Sequence, residues 1–310
     1  MALENNGAEV LACGYTEKSK NRLISFGWQK RFALLPLAYP HSPKVPTMKR
    51  SSALLATATL ASACGLAHAQ ADFYRRAIPP NVSEGGTVGA AVLVGSKYQG
   101  SDESRVRVLP SIDYQWGNGF FAGALNGVGY NASTQPDRAY GVRVTADFGR
   151  KERRSDALQG LGDIDARPEL GAFFNVSPAS GITLSSSLRY GSGNDRKGLV
   201  VDLGAGWSTS LSPSVRVGST LATSWVNADY MQDYFGIGAD QALRSGYAQF
   251  APSSGFRDVR LGASMVYRIL PAWSVAGSVT YTELLGDARR SPIVRQKGST
   301  SAVLALGYSF

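Results

Sequence analysis

The chain of 310 residues is poor in sulfur and imidazole: two cysteines, Cys13 and Cys64, and two histidines, His41 and His68, all lie ahead of Gln70. From Gln70 onward there is neither. A chain without them loses most nucleophile and general-base chemistry, nearly all zinc and haem ligation, and any disulfide. Neither an enzyme nor a cofactor is therefore expected. Acidic pairs such as Asp163 and Asp165 have no base beside them in sequence. Past the N-terminal region there is also no apolar run long enough for a spanning helix, which needs about 20 residues. Glycine is plentiful instead, at 35 residues, and the mean hydropathy is −0.11. A β-barrel is the membrane architecture that escapes the helix test, because only alternate residues face lipid.

Much of the net charge of +9 belongs to the leading residues. From Gln70 there are 24 Lys and Arg against 20 Asp and Glu, a balance of about +4. Met48-Lys49-Arg50 opens a secretory signal: positive charges, the small-apolar run Ser52 to Leu66, then Ala67-His68-Ala69 as a cleavage site. Residues 48–69 are accordingly expected to be a signal peptide, 70–85 a periplasmic N-terminal segment and 86–310 the barrel. Residues 1–47, of mixed charge and ending Pro-rich, read as a non-native upstream extension or a disordered leader.

The remainder of the chain is a series of alternating segments with the two-residue period of strands. In Ser104 to Trp116, Val106, Val108, Pro110, Ile112, Tyr114 and Trp116 share one face; Arg105, Arg107, Ser111, Asp113 and Gln115 share the other. Many segments reach the 9 to 11 residues that a tilted strand needs to cross a bilayer. Large aromatics, including Trp116, Tyr190, Trp207, Trp225, Tyr267, Trp273, Tyr281 and Tyr308, sit mostly near segment ends on the apolar face, where an interfacial girdle would place them. The chain closes on Tyr308-Ser309-Phe310, an apolar terminus of the kind read by the barrel-assembly machinery.

Eleven strands can be counted, with Phe120 to Tyr130 taken as one. Stepping back from a periplasmic Phe310 puts short turns on the periplasmic side and long, charged loops outside, until the tight Gly117-Asn118-Gly119 turn lands outside. Bacterial barrels have even strand numbers. One strand is therefore expected to be merged or missed between Gly86 and Tyr130, giving an all-β, closed antiparallel transmembrane barrel of about twelve strands, with ten as the fallback.

The candidate lumen charges are Arg105, Arg107, Asp113, Arg143, Asp147, Glu169, Arg189, Asp202, Arg216, Arg260 and Arg268. They fit either a cationic, anion-preferring passage or a small barrel filled by paired charges. Tyr230, Tyr234, Phe235, Tyr247 and Phe250 make one long connection too aromatic for a solvated loop, which suits a plug, a partner surface or packing on its own barrel. The basic run Arg150-Lys151-Glu152-Arg153-Arg154 reads as a surface stretch near lipopolysaccharide phosphates rather than a nucleic-acid site.

Several motifs carry a family resemblance. They are Tyr98-Gln99-Gly100-Ser101-Asp102, Leu109 through Gly117, Asp229 through Ile237 with Gln241-Ala242 and Ser245-Gly246, Leu284 through Ala288 with Ser291 through Val294, and the closing Tyr308-Ser309-Phe310. Together they resemble the outer-membrane MltA-interacting protein/OmpV (MipA/OmpV) family. The resemblance implies an outer-membrane barrel in contact with lipid and lipopolysaccharide, of structural or scaffolding role, with a lytic transglycosylase and a murein synthase as partners. Other members of that family imply permeation as a narrow solute channel, or adhesion through extracellular loops.

Overall fold

The computed structural model describes residues 84–310. The proposed extension, signal peptide and nearly all of the N-terminal segment lie outside them. Twelve strands close into one antiparallel barrel, each paired with its sequence neighbours and the last with the first. In chain order they are β1 (Gly85–Ser96), β2 (Ser104–Gln115), β3 (Phe120–Gly123), β4 (Gly127–Asn131), β5 (Arg138–Asp147), β6 (Arg167–Ala179), β7 (Ile182–Ser192), β8 (Gly198–Ser210), β9 (Val215–Val226), β10 (Gly255–Arg268), β11 (Trp273–Leu284) and β12 (Gly298–Ser309).

The reason for closure is the solvent. Hydrocarbon offers nothing to a backbone N–H or C=O, so a sheet in lipid must leave no open edge. The β1–β12 seam meets that demand over Thr87–Val94 against Ser309–Ala302, and Gly86 and Phe310 add two reciprocal backbone hydrogen bonds of 2.9 and 3.0 Å. Outward side chains are large and apolar, with Val106 at 65%, Val108 at 69%, Leu170 at 68% and Leu261 at 60% exposure. In water such a surface would be untenable; in a bilayer it is the contact face.

Phe120 to Tyr130 is not one strand but the hairpin β3–β4, with Phe120 opposite Tyr130 and Gly123 opposite Gly127. This is the missing strand, and it restores the parity. The 116–119 turn now falls at the same end as the other short connections (132–137, 180–181, 211–214, 269–272) and both ends of the barrel sequence. Connections 97–103, 148–166, 193–197, 227–254 and 285–297, together with the 124–126 turn, occupy the other end. By the usual asymmetry of these barrels the short-turn end is periplasmic and the loop end extracellular. Gly119, at φ +92°, supplies the left-handed residue that the 116–119 turn requires.

The turn end is ringed by exposed aromatics: Trp116, Phe120, Tyr140, Trp207, Tyr267, Trp273, Tyr308 and Phe310. Tyr308 lies 5.2 Å from Trp273 and 6.4 Å from Phe310, ring to ring. Tyr190 and Tyr281 are exposed toward the loop end, whereas Trp225 is partly buried.

Because one face of each strand meets lipid and the other the lumen, the same substitution should have opposite tolerance on adjacent positions. Leu261→Arg, facing lipid in mid-strand, is expected to cost about 2–4 kcal/mol. Thr220→Arg, on the lumen face of β9, should cost far less. Denaturant unfolding of both variants in vesicles checks the difference.

Candidate functional site

The lumen has two halves of different character. Toward the turn end it opens into a cavity of about 480 Å³ whose wall is dominated by small residues such as Gly204, Gly218, Ala276 and Ala305, and which reaches up beside β1, β2 and β5 to Leu93, Arg107 and Phe148. Toward the loop end it is filled.

The filling begins with a belt of charge. Arg189 on β7 is fully buried; its Nη1 donates to Glu169 Oε2 on β6 at 3.1 Å and its Nη2 to Asp202 Oδ2 on β8 at 2.8 Å. Thr145 on β5 donates its hydroxyl to Glu169. Ser224 on β9 donates to Asp202 Oδ1 at 2.6 Å and accepts from Arg257 and Arg260 on β10. Arg257 Nε lies 2.6 Å from Asp258 Oδ2, and Arg260 Nε 3.4 Å from Asp258 Oδ1. Six adjacent strands, β5 to β10, are thereby tied to one another along the inner wall, three guanidiniums meeting three carboxylates. A buried ion must be paired and hydrogen-bonded to be tolerated at all, and these groups are.

Above the belt sits the long connection between β9 and β10. It folds into two helices, α1 (Ala228–Phe235) and α2 (Ala239–Ser245). Asn227 caps α1 by accepting from the Tyr230 N–H at 3.1 Å. Tyr230, Met231, Tyr234 and Phe235 are buried among Val200, Val226, Leu284 and Ile164. Tyr230 and Tyr234 stack at 4.5 Å. The Tyr234 hydroxyl donates to Asp147 Oδ1 at 2.5 Å, and Arg257 Nη1 donates to the Tyr230 hydroxyl at 2.8 Å. α1 therefore reaches lumen side chains of both β5 and β10, across the mouth. Burial pushes the Tyr230 phenol up to about 12 and the Tyr234 phenol well above its ordinary value, the latter with Asp147 adding to it. Both remain proton donors at physiological pH.

The sequence-predicted residues divide accordingly. Glu169, Arg189, Asp202 and Arg260 meet in the belt; Asp147 binds the plugging helix and accepts from the Gly149 and Gly193 amides at 2.9 Å. Arg143 lies 5.7 Å from the Phe173 ring, and Asp113 accepts from Asn126 at 2.9 Å. Arg105 and Arg107 point inward near the loop end of β2. Arg216 and Arg268 are exposed at the turn end, away from the belt. Of the aromatics, Tyr230, Tyr234 and Phe235 fill the mouth, whereas Tyr247 and Phe250 pack at the edge of a second cluster with Leu158 and Ile237.

Three residues were not anticipated. Arg257 and Asp258 are consecutive yet both buried, because the β9–β10 register shifts between Phe256 and Asp258. Such a bulge turns two neighbours inward where strict alternation allows one. Arg150 is not part of a surface run: it is 3% exposed, and its Nη1 donates to the Tyr234 carbonyl at 2.8 Å. The neighbouring Lys151 does face out, paired with Asp163 at 3.1 Å and Asp165 at 2.6 Å.

A closed twelve-stranded barrel with an apolar outer belt, aromatic rim and polar interior defines a transmembrane β-barrel of the outer-membrane class. The family profile described as MltA-interacting protein MipA matches residues 88–310, and the chain belongs to that family. The MltA-interacting protein of Escherichia coli (strain K12) is 24% identical over 256 residues, covering 81% of this chain and 95% of the relative. Outer membrane protein Omp26La of Vibrio anguillarum is 26% identical over 164 residues, 50% of this chain and 59% of its own length. Among solved structures, the NanC porin aligns with 71% of this chain and 98% of its own at 11% identity and a TM-score of 0.43. The protein resides in the outer membrane.

The belt should be unforgiving of unpaired charge. Arg189→Ala leaves Glu169 and Asp202 buried without their main counter-ion and is expected to cost about 3–5 kcal/mol; pairing Arg189→Met with Glu169→Gln should recover part of that. The midpoint of chemical unfolding in detergent reads both. In the 148–166 loop, the Glu152 amide chiefly holds the Asp163 carboxyl below its usual range, and Lys151 holds that of Asp165 below it. Depressed carboxyls stabilise above their unfolded pKa of about 4 and cease to do so as pH falls through the folded value. Pepsin cleavage within 150–165 should therefore rise as pH drops below about 4.

Proposed function

We propose that this barrel is a structural or scaffolding protein of the outer membrane that serves periplasmic peptidoglycan-remodelling enzymes, rather than an open passage. The observation that carries the reading is the closed extracellular mouth: α1 and the belt beneath it fill the loop end of the lumen with packed aromatics and mutually paired charges. The relative's name, MltA-interacting protein, supports a lytic transglycosylase as one partner; a murein synthase as a second belongs to the proposal alone. A narrow solute channel is the alternative, and the 480 Å³ cavity at the turn end favours it. In that reading α1 would be a gate, and passage would require it to move. Adhesion through the loops has less support, since Tyr230, Tyr234 and Phe235 are turned inward.

Protein purified from outer membranes is expected to pass no steady current in planar bilayers. It should also retain a lytic transglycosylase of the MltA type when immobilised. Steady current from the intact chain would overturn the scaffold reading in favour of the channel; silence without retention would overturn it outright.

A further inference from the structure

The wall has one place where strands run short. β3 and β4 are four and five residues long, while their neighbours β2 and β5 have twelve and ten. β2 pairs with β3 only over Asp113–Gln115, and β4 pairs with β5 only over Val128–Asn131 against Val144–Gly141. On the loop-end side of this hairpin, Ser104–Ser111 of β2 pairs, among the described strands, with β1 alone, and Thr145–Asp147 of β5 with β6 alone. Among the described residues no strand fills the space between them. The bare stretch of β2 is about 26 Å long at roughly 3.3 Å per residue, and that of β5 about 10 Å.

This edge shows features of a deliberate opening. The Ile112 carbonyl accepts from the Ala124 amide at 2.8 Å, so the backbone groups of every second residue, Pro110 included, face the gap. Proline there presents no N–H that would go unmet. The outward neighbours Val106 and Val108 are 65% and 69% exposed, and Val128 at the hairpin 61%, so the gap lies at hydrocarbon depth. Such an edge is tolerated at that depth only where it is buried in protein or lines a water-filled cavity. A cavity does lie behind it: Leu93, Leu109, Leu125 and Phe148 are among the walls of the 480 Å³ space.

The upper rim is basic. Arg105 and Arg107 point inward from β2, and Arg107 lies within electrostatic reach of both Arg105 and Arg154, the last on the 148–166 loop. Burial, with Arg105 adding to it, pushes the Arg154 guanidinium down to about 10, still a cation at neutral pH. Glu103, beside this rim, is held by Lys97 Nζ at 2.5 Å and the Ser155 hydroxyl at 2.5 Å. Guanidiniums above an apolar slot match a molecule with an oxyanion at one end and a hydrocarbon chain at the other, phosphate being their preferred bidentate partner.

We propose that the gap between β2 and β5 is a lateral window through which an acyl chain of a phosphate-bearing membrane lipid enters the barrel, with Arg105, Arg107 and Arg154 holding its headgroup. The window connects the cavity to the bilayer rather than to the extracellular mouth, which α1 closes. It does not depend on the scaffold reading.

The test uses the full chain with Cys13 and Cys64 replaced by serine, carrying one new cysteine labelled with bimane: Leu125→Cys behind the window, Asp240→Cys on the exposed helix α2 outside the cavity, or Val279→Cys on the lipid face. Each is reconstituted in phosphatidylcholine vesicles containing brominated phosphatidylglycerol or brominated phosphatidylcholine. The expected result is quenching at position 125 several-fold stronger with the brominated phosphatidylglycerol, near-background quenching at 240, and equal quenching by either lipid at 279. Arg105→Gln with Arg107→Gln should abolish the preference at 125 while the unfolding midpoint stays close to that of the parent. Quenching at 125 no greater than at 240, quenching indifferent to headgroup, or a preference unchanged by the arginine replacements would each overturn the proposal. Full displacement by myristate alone would assign the site to a free carboxylate and overturn the phosphate claim.

Discussion

Hydrocarbon has no hydrogen bonds to give, and the architecture is a response to that. Every backbone group at membrane depth must find its partner in a neighbouring strand, so the sheet must curve until β12 meets β1. Closure then fixes the alternation, since each strand has lipid on one side and lumen on the other. It also fixes the parity: an even number of antiparallel strands brings both ends of the barrel sequence to the short-turn side. The hairpin β3–β4 is where the wall departs from full coverage, and there the departing edge carries a proline and is backed by a cavity.

Once the wall is closed, its interior has to be filled or wet, and this barrel does both at different heights. The charged belt and α1 dry out the extracellular half, while glycine, serine and alanine leave room below. The belt runs across neighbouring strands rather than along one of them, so it adds side-chain ties in the same direction as the backbone hydrogen bonds of the wall. Arg257 and Arg150 extend it upward to the plugging helix through Tyr230 and Tyr234. Wall and plug are consequently one polar network, and a movement of α1 would unpair charges below it.

Much of this was legible in the residues. Alternation located ten of the twelve strands, and the short and long connections showed which end was which. Phe120 to Tyr130 deceived because its turn preserves parity: residues pairing across the hairpin, such as Phe120 with Tyr130 and Ala122 with Val128, are both even-numbered, so the outward face continues through the turn without interruption. The local mark was Asn126-Gly127, a dipeptide that favours tight turns, with Gly127 at φ +74°. The belt was partly visible as inward charges, but which acid meets which base depends on strand stagger. Arg257 was hidden by a bulge, and Arg150 by acidic and basic neighbours that give its segment the look of a solvated run. Nothing in a period of two reveals that β2 outruns β3.

The seam between Gly86 and Phe310 has a consequence for how the molecule is made. The ribosome supplies the partner of the first strand last, so β1 spends the whole of synthesis and transit with one edge unmet. Loop-closure entropy grows only as the logarithm of chain length, so the equilibrium barely feels this separation. The folding rate does, because pairings distant in sequence form slowly and leave strand edges open to wrong partners meanwhile. A chain built this way needs a custodian for its first edge until its final aromatic arrives, and the ring is sound only when complete.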